Sequence, residues 1–313
     1  MIEKVFVAGH NGMVGSAIVS ALRKAGYENI ITINRLKLDL CNSEAVYAFL
    51  KETRPDIVIN AAAKVGGIYA NSTDPYSFLM QNLLMQNNLI DSSFKLGITK
   101  FVFLGSSCVY PKFAANPIKE ETLMTSPLEP SNEYYAIAKI AGIKACEAIA
   151  SQYKLPYFSV MPPNLYGPND NFDLMNSHVV AALIRKFHTA KKNQTNVTLW
   201  GSGTPIRELM YVDDLADAVV FLLNRKETLP SLINIGTGIG ISIKGLAEKI
   251  QAIVGHEGAI VWDAKMLDGT PQKVMDTTYM ASLGWFANTT LDVGLKKAYE
   301  WFMSNEKNLN LSE

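Results

Sequence analysis

Tyr135 and Lys139 are four residues apart, a spacing that places both side chains on one face of a helix predicted over 133–153. A lysine ammonium beside a phenol favours the phenolate, so we expect the pKa of Tyr135 to fall toward the working pH. Such a phenol can protonate a carbonyl oxygen that receives a hydride. An aromatic helix start with an exposed lysine would show the same spacing, and the pair alone does not distinguish the two.

Other side chains with acid–base chemistry follow predicted structural elements. Ser106 and Ser107 end a predicted strand, and ligands bind at the carboxyl ends of parallel strands, so one hydroxyl could complete a Ser–Tyr–Lys set. Cys108 lies two residues after Ser106 and faces the same side if the segment is extended, but on spacing alone a buried small hydrophobe, the commonest fate of a free cysteine, is favoured. His178 could titrate, or it could be a structural histidine.

The elements that must position these residues alternate between strands and helices in the first half of the chain. Such alternation is typical of right-handed βαβ crossovers, and the continuously apolar strands indicate a sheet covered on both faces. The predicted fold is therefore α/β: a Rossmann-type doubly wound parallel sheet with a smaller α/β substrate-binding lobe. We expect residues 1–165 to form the NADP-binding domain, segments near 205–240 to return to it, and residues 166–313 to form mainly the lobe.

The bounds of the predicted elements follow from the apolar patterns. The predicted strands are 4–8, 29–33, 56–63, 101–107, 157–163, 196–201, 232–236 and 259–264. The predicted helices are 13–25, 43–53, 75–96, 133–153, 178–191, one that opens at Asp213-Asp214, 242–254 and 291–304; residues 166–177 and 202–208 are predicted loops.

A glycine-rich turn follows the first predicted strand. Glycines there permit a tight bend and close approach of the backbone to a pyrophosphate, while the helix N-terminus offers N–H donors. We predict a dinucleotide site, although a glycine turn without a ligand would look the same. The second strand ends in Asn34-Arg35, a cation without a carboxylate, which favours NADP(H); Arg35 could instead be a solvated surface arginine. The residues of the turn are Gly9, His10, Asn11, Gly12, Met13, Val14 and Gly15.

The composition argues against several classes of protein. Lys+Arg and Asp+Glu number 29 each, so neither nucleic acid nor a membrane surface is an expected partner. The three cysteines, Cys41, Cys108 and Cys146, are too widely spaced to predict a disulfide framework or a metal site. We find no leader-like N-terminal segment and no apolar stretch that could span a bilayer, which predicts a cytoplasmic protein.

Eight segments carry a resemblance that covers nearly the whole chain: GHNGMVGSAI, AAAKVGGIYAN, LGSSCVYPK, EPSNEYYAIAKIAGIKACE, PPNLYGPNDNF, NSHVVAALIRKFH, WGSGTPIRELMYVDDLADA and DGTPQK. Together they resemble the GDP-L-fucose synthase family, a branch of the extended short-chain dehydrogenase/reductases. The resemblance implies inversion of C3 and C5 of GDP-4-keto-6-deoxy-D-mannose, whose 4-ketone acidifies both protons, followed by NADPH-dependent reduction at C4. It also implies a homodimer built on the helices near 75–96 and 133–153.

The resemblance assigns roles residue by residue. It implies that Cys108 and His178 act as acid and base in epimerisation, and that Tyr135 protonates the C4 oxygen with help from Lys139 and Ser106. Nucleotide-sugar contacts are implied at Lys186, Trp200, Arg207 and Asp268. Cofactor contacts are implied at Gly9–Gly15, Arg35, Leu104, Gly105, Ser106, Ser107, Lys139, Pro162, Pro163, Asn164, Leu165 and His178.

Three positions depart from the family pattern, and two other functions stay open. Asn11 stands where many relatives carry arginine, Pro163 replaces a threonine and Gln272 replaces an arginine, which could alter cofactor preference, cofactor placement and nucleotide affinity respectively. One alternative is another nucleotide-sugar epimerase or dehydratase, although the GSSC turn lacks the acidic pair expected of a dehydratase. The other is a non-catalytic dinucleotide-sensing protein, which would have little reason to keep all five acid–base residues.

Overall fold

A parallel sheet of six strands forms the larger part of the fold. The computed structural model describes residues 2–174, 176–263, 265 and 269–309. Its strands, in chain order, are β1 Val5–Ala8, β2 Ile30–Ile31, β3 Ile57–Asn60, β4 Lys100–Leu104, β5 Tyr157–Met161, β6 Asn164–Tyr166, β7 Val197–Trp200, β8 Ile206–Tyr211, β9 Leu232–Asn234, β10 Gly240–Ser242, β11 Ile260–Asp263 and β12 Gln272–Lys273. The large sheet has the order β2-β1-β3-β4-β5-β9, with every pair parallel. This confirms the predicted doubly wound fold.

Helices cover both faces of this sheet because alternate strand residues point to opposite sides. The helices are α1 Met13–Lys24, α2 Ser43–Thr53, α3 Ile68–Thr73, α4 Pro75–Lys95, α5 Glu133–Tyr153, α6 Val179–Asn193, α7 Val212–Leu223, α8 Ile243–Val254, α9 Thr278–Ser282 and α10 Leu291–Asn305. Val5 and Val7 join a core with helices α1 and α7, whereas Phe6 and Ala8 join a second core with α2, α4 and α5. None of the described helices has the length and apolar character that a bilayer crossing requires.

A third core joins the elements of the second half of the chain. Helices α6, α8 and α10 pack around it with β7 and β8, and it contains Tyr166, Phe187 and Phe302. Strand β8 pairs with β6, β10 and β12 outside the large sheet. Strand β9, in contrast, is an edge strand of the large sheet, and α7 packs in the core on one face of it. These packings are compatible with segments near 205–240 returning to the first domain, and the division at residue 165 stays a prediction.

One predicted loop is wrong in its second half. Residues 202–208 were expected to form a loop, but β8 begins at Ile206 and its register pairs Arg207 with Ile241 and Lys273. The partners of Arg207 lie more than 30 residues further along the chain, so no local pattern predicts the start of the strand. The short helix α3 and the short strands β10 and β12 were likewise not predicted from the sequence.

The carboxyl edge of the large sheet contains the point where strand order reverses. Strand β1 has β2 on one side and β3 on the other, because the chain crosses from β1 to β2 and then back past β1 to β3. In open α/β sheets a crevice opens at such a point, and ligands bind there. The segments that follow β1, β3, β4 and β5 therefore define where the candidate site must lie.

Candidate active site

The glycine turn after β1 is packed so tightly that only glycine fits at two of its positions. Gly9 has φ +84°, and a Cβ on it would lie 2.7 Å from the backbone nitrogen of Ala62. A Cβ on Gly15 would lie 2.1 Å from the Gly9 carbonyl oxygen. Helix α1 begins directly after Gly12 with no acidic residue in its first turn, so its free N–H groups and positive dipole end suit an anion. The turn is a fit for a dinucleotide pyrophosphate.

The other side chains of the predicted cofactor turn differ in their exposure. His10, Met13 and Val14 are half-buried, and Asn11 is exposed. Arg35 is exposed in a turn after β2, where the Lys37 N–H donates to the Asn34 carbonyl over 3.1 Å. An exposed cation at this strand end suits a 2′-phosphate.

The ends of β4 and β5 bring two predicted cofactor segments together. The Gly105 N–H donates to the Val160 carbonyl over 2.9 Å, and the Ser107 N–H donates to the Pro162 carbonyl over 3.0 Å. Asn164 and Leu165 continue into β6, where they pair with Leu209 and Met210 of β8. The structure thus places Leu104–Ser107 beside Pro162–Leu165 along one edge of the crevice.

Ser106, Tyr135 and Lys139 meet beside this edge. Ser106 caps a 3-10 turn, Ser107–Val109, and its hydroxyl accepts the Cys108 N–H over 3.3 Å. The Tyr135 phenol hydrogen-bonds the same Ser106 hydroxyl. Lys139 is 3% exposed, its Nζ donates to the Leu104 carbonyl over 2.8 Å, and it lies 5.9 Å from the centre of the Tyr135 ring. Two successive turns of α5 therefore present the pair predicted from the sequence.

The expected lowering of the tyrosine pKa is wrong for this structure. Burial, and then the negative charge of a Cys108 thiolate, raise the pKa of Tyr135 above its ordinary value, and the Ser106 hydrogen bond only partly offsets them. Lys139 provides little opposing charge because burial lowers its own pKa from 10.5 to about 7. Desolvation outweighs the ammonium–phenol attraction on which the prediction rested.

His178 follows residues that contact the loop after β3, the loop that contains Gly67. No role was predicted for this loop from the sequence. His178 directly precedes α6 with extended backbone, and burial lowers the pKa of its imidazole below the ordinary 6.5, so the ring is neutral at pH 7. The Gly67 N–H donates to the Asn176 carbonyl over 3.2 Å, and a Cβ on Gly67 would lie 2.8 Å from the Ser177 carbonyl oxygen. Gly67 thereby fixes the approach of the chain to His178.

The same loop also reaches toward Tyr135. The Asn82 side chain accepts the Lys64 N–H over 2.8 Å and donates to the Lys64 carbonyl over 3.0 Å. The Lys64 ammonium pairs with Asp74 at 2.5 Å and lies 5.2 Å from the centre of the Phe78 ring, which packs edge-on against Tyr135 at 6.4 Å. The signal in the sequence was the Lys-Val-Gly-Gly run at the carboxyl end of β3, a strand end that points into the crevice.

Two of the four predicted nucleotide-sugar residues contact each other. The Lys186 Nζ donates to the Thr198 carbonyl over 3.1 Å and lies 5.6 Å from the centre of the Trp200 indole, which is 53% exposed. Burial lowers the pKa of Lys186 below its ordinary value. Arg207 lies on β8 in a different sheet, and its Nη1 donates to the Ile206 carbonyl over 2.9 Å. Asp268 lies outside the described residues.

The side chains that can act as acids or bases define the chemical class of this site. Among the residues that the structure describes, no group of three or more His, Cys, Asp or Glu side chains is arranged to hold a metal ion. The acid–base groups are instead a serine, a tyrosine, a lysine, a free cysteine and a histidine. A glycine turn at the reversal of strand order, with this set beside it, defines a dinucleotide-dependent enzyme of the short-chain dehydrogenase/reductase type.

Comparisons with known proteins agree with this class and narrow it. The model of the NAD dependent epimerase/dehydratase family matches residues 5–236, and the chain belongs to that family. The GDP-L-fucose synthase of Sinorhizobium fredii is 53% identical over 97% of this chain and 96% of its own length, and that of Escherichia coli is 47% identical over 97% and 98%. A crystal structure of a GDP-L-fucose synthetase from Naegleria fowleri bound to NADP superposes with a TM-score of 0.89 at 26% identity, over 98% of this chain and 96% of that one.

Proposed function

We propose that this chain is a bifunctional epimerase–reductase that converts GDP-4-keto-6-deoxy-D-mannose and NADPH to GDP-L-fucose and NADP⁺. Relatives named GDP-L-fucose synthase, about half identical over nearly the full length, support the product, and the NADP-bound GDP-L-fucose synthetase structure supports the cofactor. The observation that carries the chemistry is the shared hydroxyl of Ser106, which the Cys108 N–H and the Tyr135 phenol both contact. It brings the backbone of Cys108 and the phenol of Tyr135, residues suited to one stage each, to the same hydroxyl.

Epimerisation requires one group that removes a carbon-bound proton and another that returns a proton to the opposite face of the ring. The 4-ketone stabilises the enolate formed when C3 or C5 loses its proton. His178 suits proton removal because its lowered pKa leaves the imidazole neutral at pH 7. Cys108, a partly buried free thiol on the 3-10 turn, suits the opposite transfer. Either residue could serve as the base at a given carbon, since each can hold or release a proton.

Reduction requires a proton donor at the C4 oxygen. When bound, NADPH supplies the hydride for C4. The raised pKa of Tyr135 keeps the phenol protonated until the oxygen of C4 becomes strongly basic, and the Ser106 hydroxyl orients it. Lys139 holds its ammonium or amine against the Leu104 carbonyl, where the predicted cofactor segment begins.

The cofactor and the nucleotide-sugar suit different parts of the structure. The Gly9–Gly15 turn and the N-terminus of α1 suit the cofactor pyrophosphate, and exposed Arg35 suits its 2′-phosphate. Lys186 and Arg207 are cations suited to the diphosphate of the nucleotide-sugar, and the exposed face of Trp200 suits stacking or ring contact. Asp268 completes this set by resemblance alone.

The test follows the two stages separately. The purified protein is incubated with GDP-4-keto-6-deoxy-D-mannose in D₂O without NADPH, and exchange at C3 and C5 is followed by NMR; NADPH is then added and its absorbance followed. We expect exchange first, then stoichiometric oxidation that yields GDP-L-fucose. Oxidation that yields an uninverted 6-deoxyhexose would contradict the roles of Cys108 and His178. No oxidation despite tight NADPH binding would contradict the substrate.

Two variants separate the stages, and a third serves as control. Tyr135→Phe should keep exchange but lose reduction by roughly 10²–10⁴-fold, the usual contribution of a general acid. Cys108→Ser should lose exchange while it binds NADPH normally. Tyr134→Phe removes a neighbouring hydroxyl from a residue that is 47% exposed and should change neither stage.

We also propose that the chain forms a homodimer in the cytoplasm. Helices α4 and α5 pack together and expose the apolar side chains of Tyr76, Leu84, Tyr134, Ile137 and Tyr153. A second copy that covers this face would bury them. The three cysteines are free, which suits a reducing compartment. Ile137→Lys should shift sedimentation from dimer to monomer, and a parent that sediments as a monomer would contradict the dimer.

A further inference from the structure

Glu129 lies outside the groups assigned above, yet its carboxylate joins three segments of the site. Oε2 contacts the Lys112 Nζ at 3.1 Å and accepts the Thr270 hydroxyl over 3.3 Å. Oε1 accepts the hydroxyl of Ser131 over 3.3 Å and its N–H over 3.5 Å. One side chain thereby holds residues that are far apart in the sequence.

The surroundings of Glu129 require it to be charged. Its side chain is 13% exposed, and this burial opposes ionisation. The hydrogen bonds from Lys112, Ser131 and Thr270 outweigh burial and hold the pKa of the carboxyl below its ordinary value. Four donors surround this carboxylate. Replacing its charge or one of its oxygens therefore weakens the contacts that hold the three segments together.

Each of the three segments leads to a part of the proposed site. Lys112 follows the 3-10 turn that carries Cys108. Ser131 lies in the 3-10 turn Pro130–Asn132, which runs directly into α5 and Tyr135.

The third segment leads to the nucleotide-sugar residues. Thr270 is 5% exposed and precedes β12, whose Lys273 pairs in register with Arg207 of β8. Asn116 contacts the same segment further along, because its side chain accepts the Val274 N–H over 2.8 Å and donates to the Gln272 carbonyl over 3.3 Å.

We propose that Glu129 is a positioning residue that aligns the 269–273 segment, and through β12 the diphosphate-binding Arg207, with the acid–base groups on α5. The inference rests on the proposed function, since it takes the substrate to bridge Arg207 and Tyr135. Loss of the Glu129 charge should loosen the substrate segment and, at the same time, shift the start of α5 relative to the cofactor edge.

The kinetics of three variants separate the contact of Glu129 with Thr270 from its contact with Lys112. Glu129→Gln keeps the shape but removes the charge, and should raise the KM for the nucleotide-sugar and lower kcat, each by about tenfold, the effect of one charge-assisted hydrogen bond. Thr270→Val should raise KM with kcat unchanged, because it removes only the contact between Glu129 and the 269–273 segment. Lys112→Met should lower kcat more than it raises KM. Glu121→Gln, an exposed carboxylate nearby, is the matched control and should match the parent.

Two further readouts distinguish positioning from a purely structural role. The Kd for NADPH, measured by fluorescence, should stay within about twofold of the parent in Glu129→Gln. Hydrogen exchange should rise in the peptide that covers 269–275 and not in β3 or β4. If Glu129→Gln lost kcat together with NADPH binding and had a lowered Tm, the inference would be overturned. It would also be overturned if the KM, the kcat and the amide hydrogen exchange of Glu129→Gln matched those of the parent. A parent without turnover would refute the proposed function, and the exchange measurement would still decide the role of Glu129.

Discussion

Replacing Lys139 with methionine is expected to stabilise the folded protein while it abolishes reduction at C4. The ammonium is 3% exposed, and none of the ion pairs among the described side chains includes it. Its polar contact is the Leu104 carbonyl at 2.8 Å, and the faces of Phe103 and Tyr135 surround the rest. A charge in such surroundings disfavours the folded state.

The size of the effect follows from the pKa. A fall from 10.5 to about 7 corresponds, at about 1.4 kcal/mol for each pH unit, to a destabilisation of at most about 5 kcal/mol. Below pH 7 the lysine is protonated in both states and the full destabilisation applies. Between pH 7 and 10.5 the unfolded chain holds a proton that the folded lysine has lost, so the stability of the parent rises with pH.

Methionine removes the charge but also the hydrogen bond to Leu104, which contributes about 1 kcal/mol. We therefore expect a net gain of at most about 4 kcal/mol at pH 7, or roughly 6 °C in Tm for a chain of this size. The assay is thermal unfolding without cofactor at pH 7 and at pH 9.5, where the gain should shrink. Lys144→Met is the control, because that exposed lysine of α5 makes a surface pair with Glu147 and should give no gain at either pH. A Lys139→Met variant that is less stable than the parent at pH 7, or whose gain does not depend on pH, would refute the reasoning.

Three further predictions concern the glycine positions and His178. In Gly67→Ala the new Cβ would lie 2.8 Å from the Ser177 carbonyl, so the chain before His178 must move; deuterium exchange at C3 and C5 should fall by about 10²-fold with NADPH affinity retained, and unchanged exchange would contradict this. Gly15→Ala places a Cβ 2.1 Å from the Gly9 carbonyl and should abolish NADPH binding in a fluorescence titration, whereas Gly12→Ala, with 3.5 Å of room, should largely keep it. Because burial lowers the pKa of His178, exchange in the parent should persist at pH 6.5 and decline only as the pH falls through that lowered pKa; a decline that begins above pH 6.5 would exclude His178 as its source.

Most of the large sheet could be predicted because its information is local. Strands such as Val5–Ala8 are apolar throughout, and the helices Ser43–Thr53 and Glu133–Tyr153 have the predicted bounds. Strand β8 was not predicted, because Ile206–Glu208 looks like a polar loop. The buried Glu208 carboxylate fixes the strand to distant segments, because it accepts the N–H groups of Gly238 at 2.9 Å and Met275 at 2.7 Å. Neither partner is visible from the sequence around Glu208.

The candidate site was predictable in its residues but not in its electrostatics. The spacing of Tyr135 and Lys139 predicted that they share a helix face, which the structure confirms. Spacing could not predict that Lys139 would be buried against Phe103 and that burial would lower its pKa to about 7. It also could not predict that Gly67 and Asn176 meet, because those contacts join the end of β3 to the start of α6 across more than 100 residues.

The pKa of Tyr135 is raised and not lowered as expected, and this direction suits the order of the proposed reaction. During epimerisation a base must remove protons from C3 or C5, and a phenolate at Tyr135 would compete with His178 and Cys108 for that task. Burial, and after it the negative charge of Cys108, raise the pKa of Tyr135, so the phenol stays protonated in the stage when a second base would be harmful. In reduction the oxygen of C4 becomes far more basic than a phenolate, so even a weakly acidic phenol delivers its proton downhill. Environments that keep neighbouring groups in different protonation states assign the acid and base roles, and here burial keeps Tyr135 an acid.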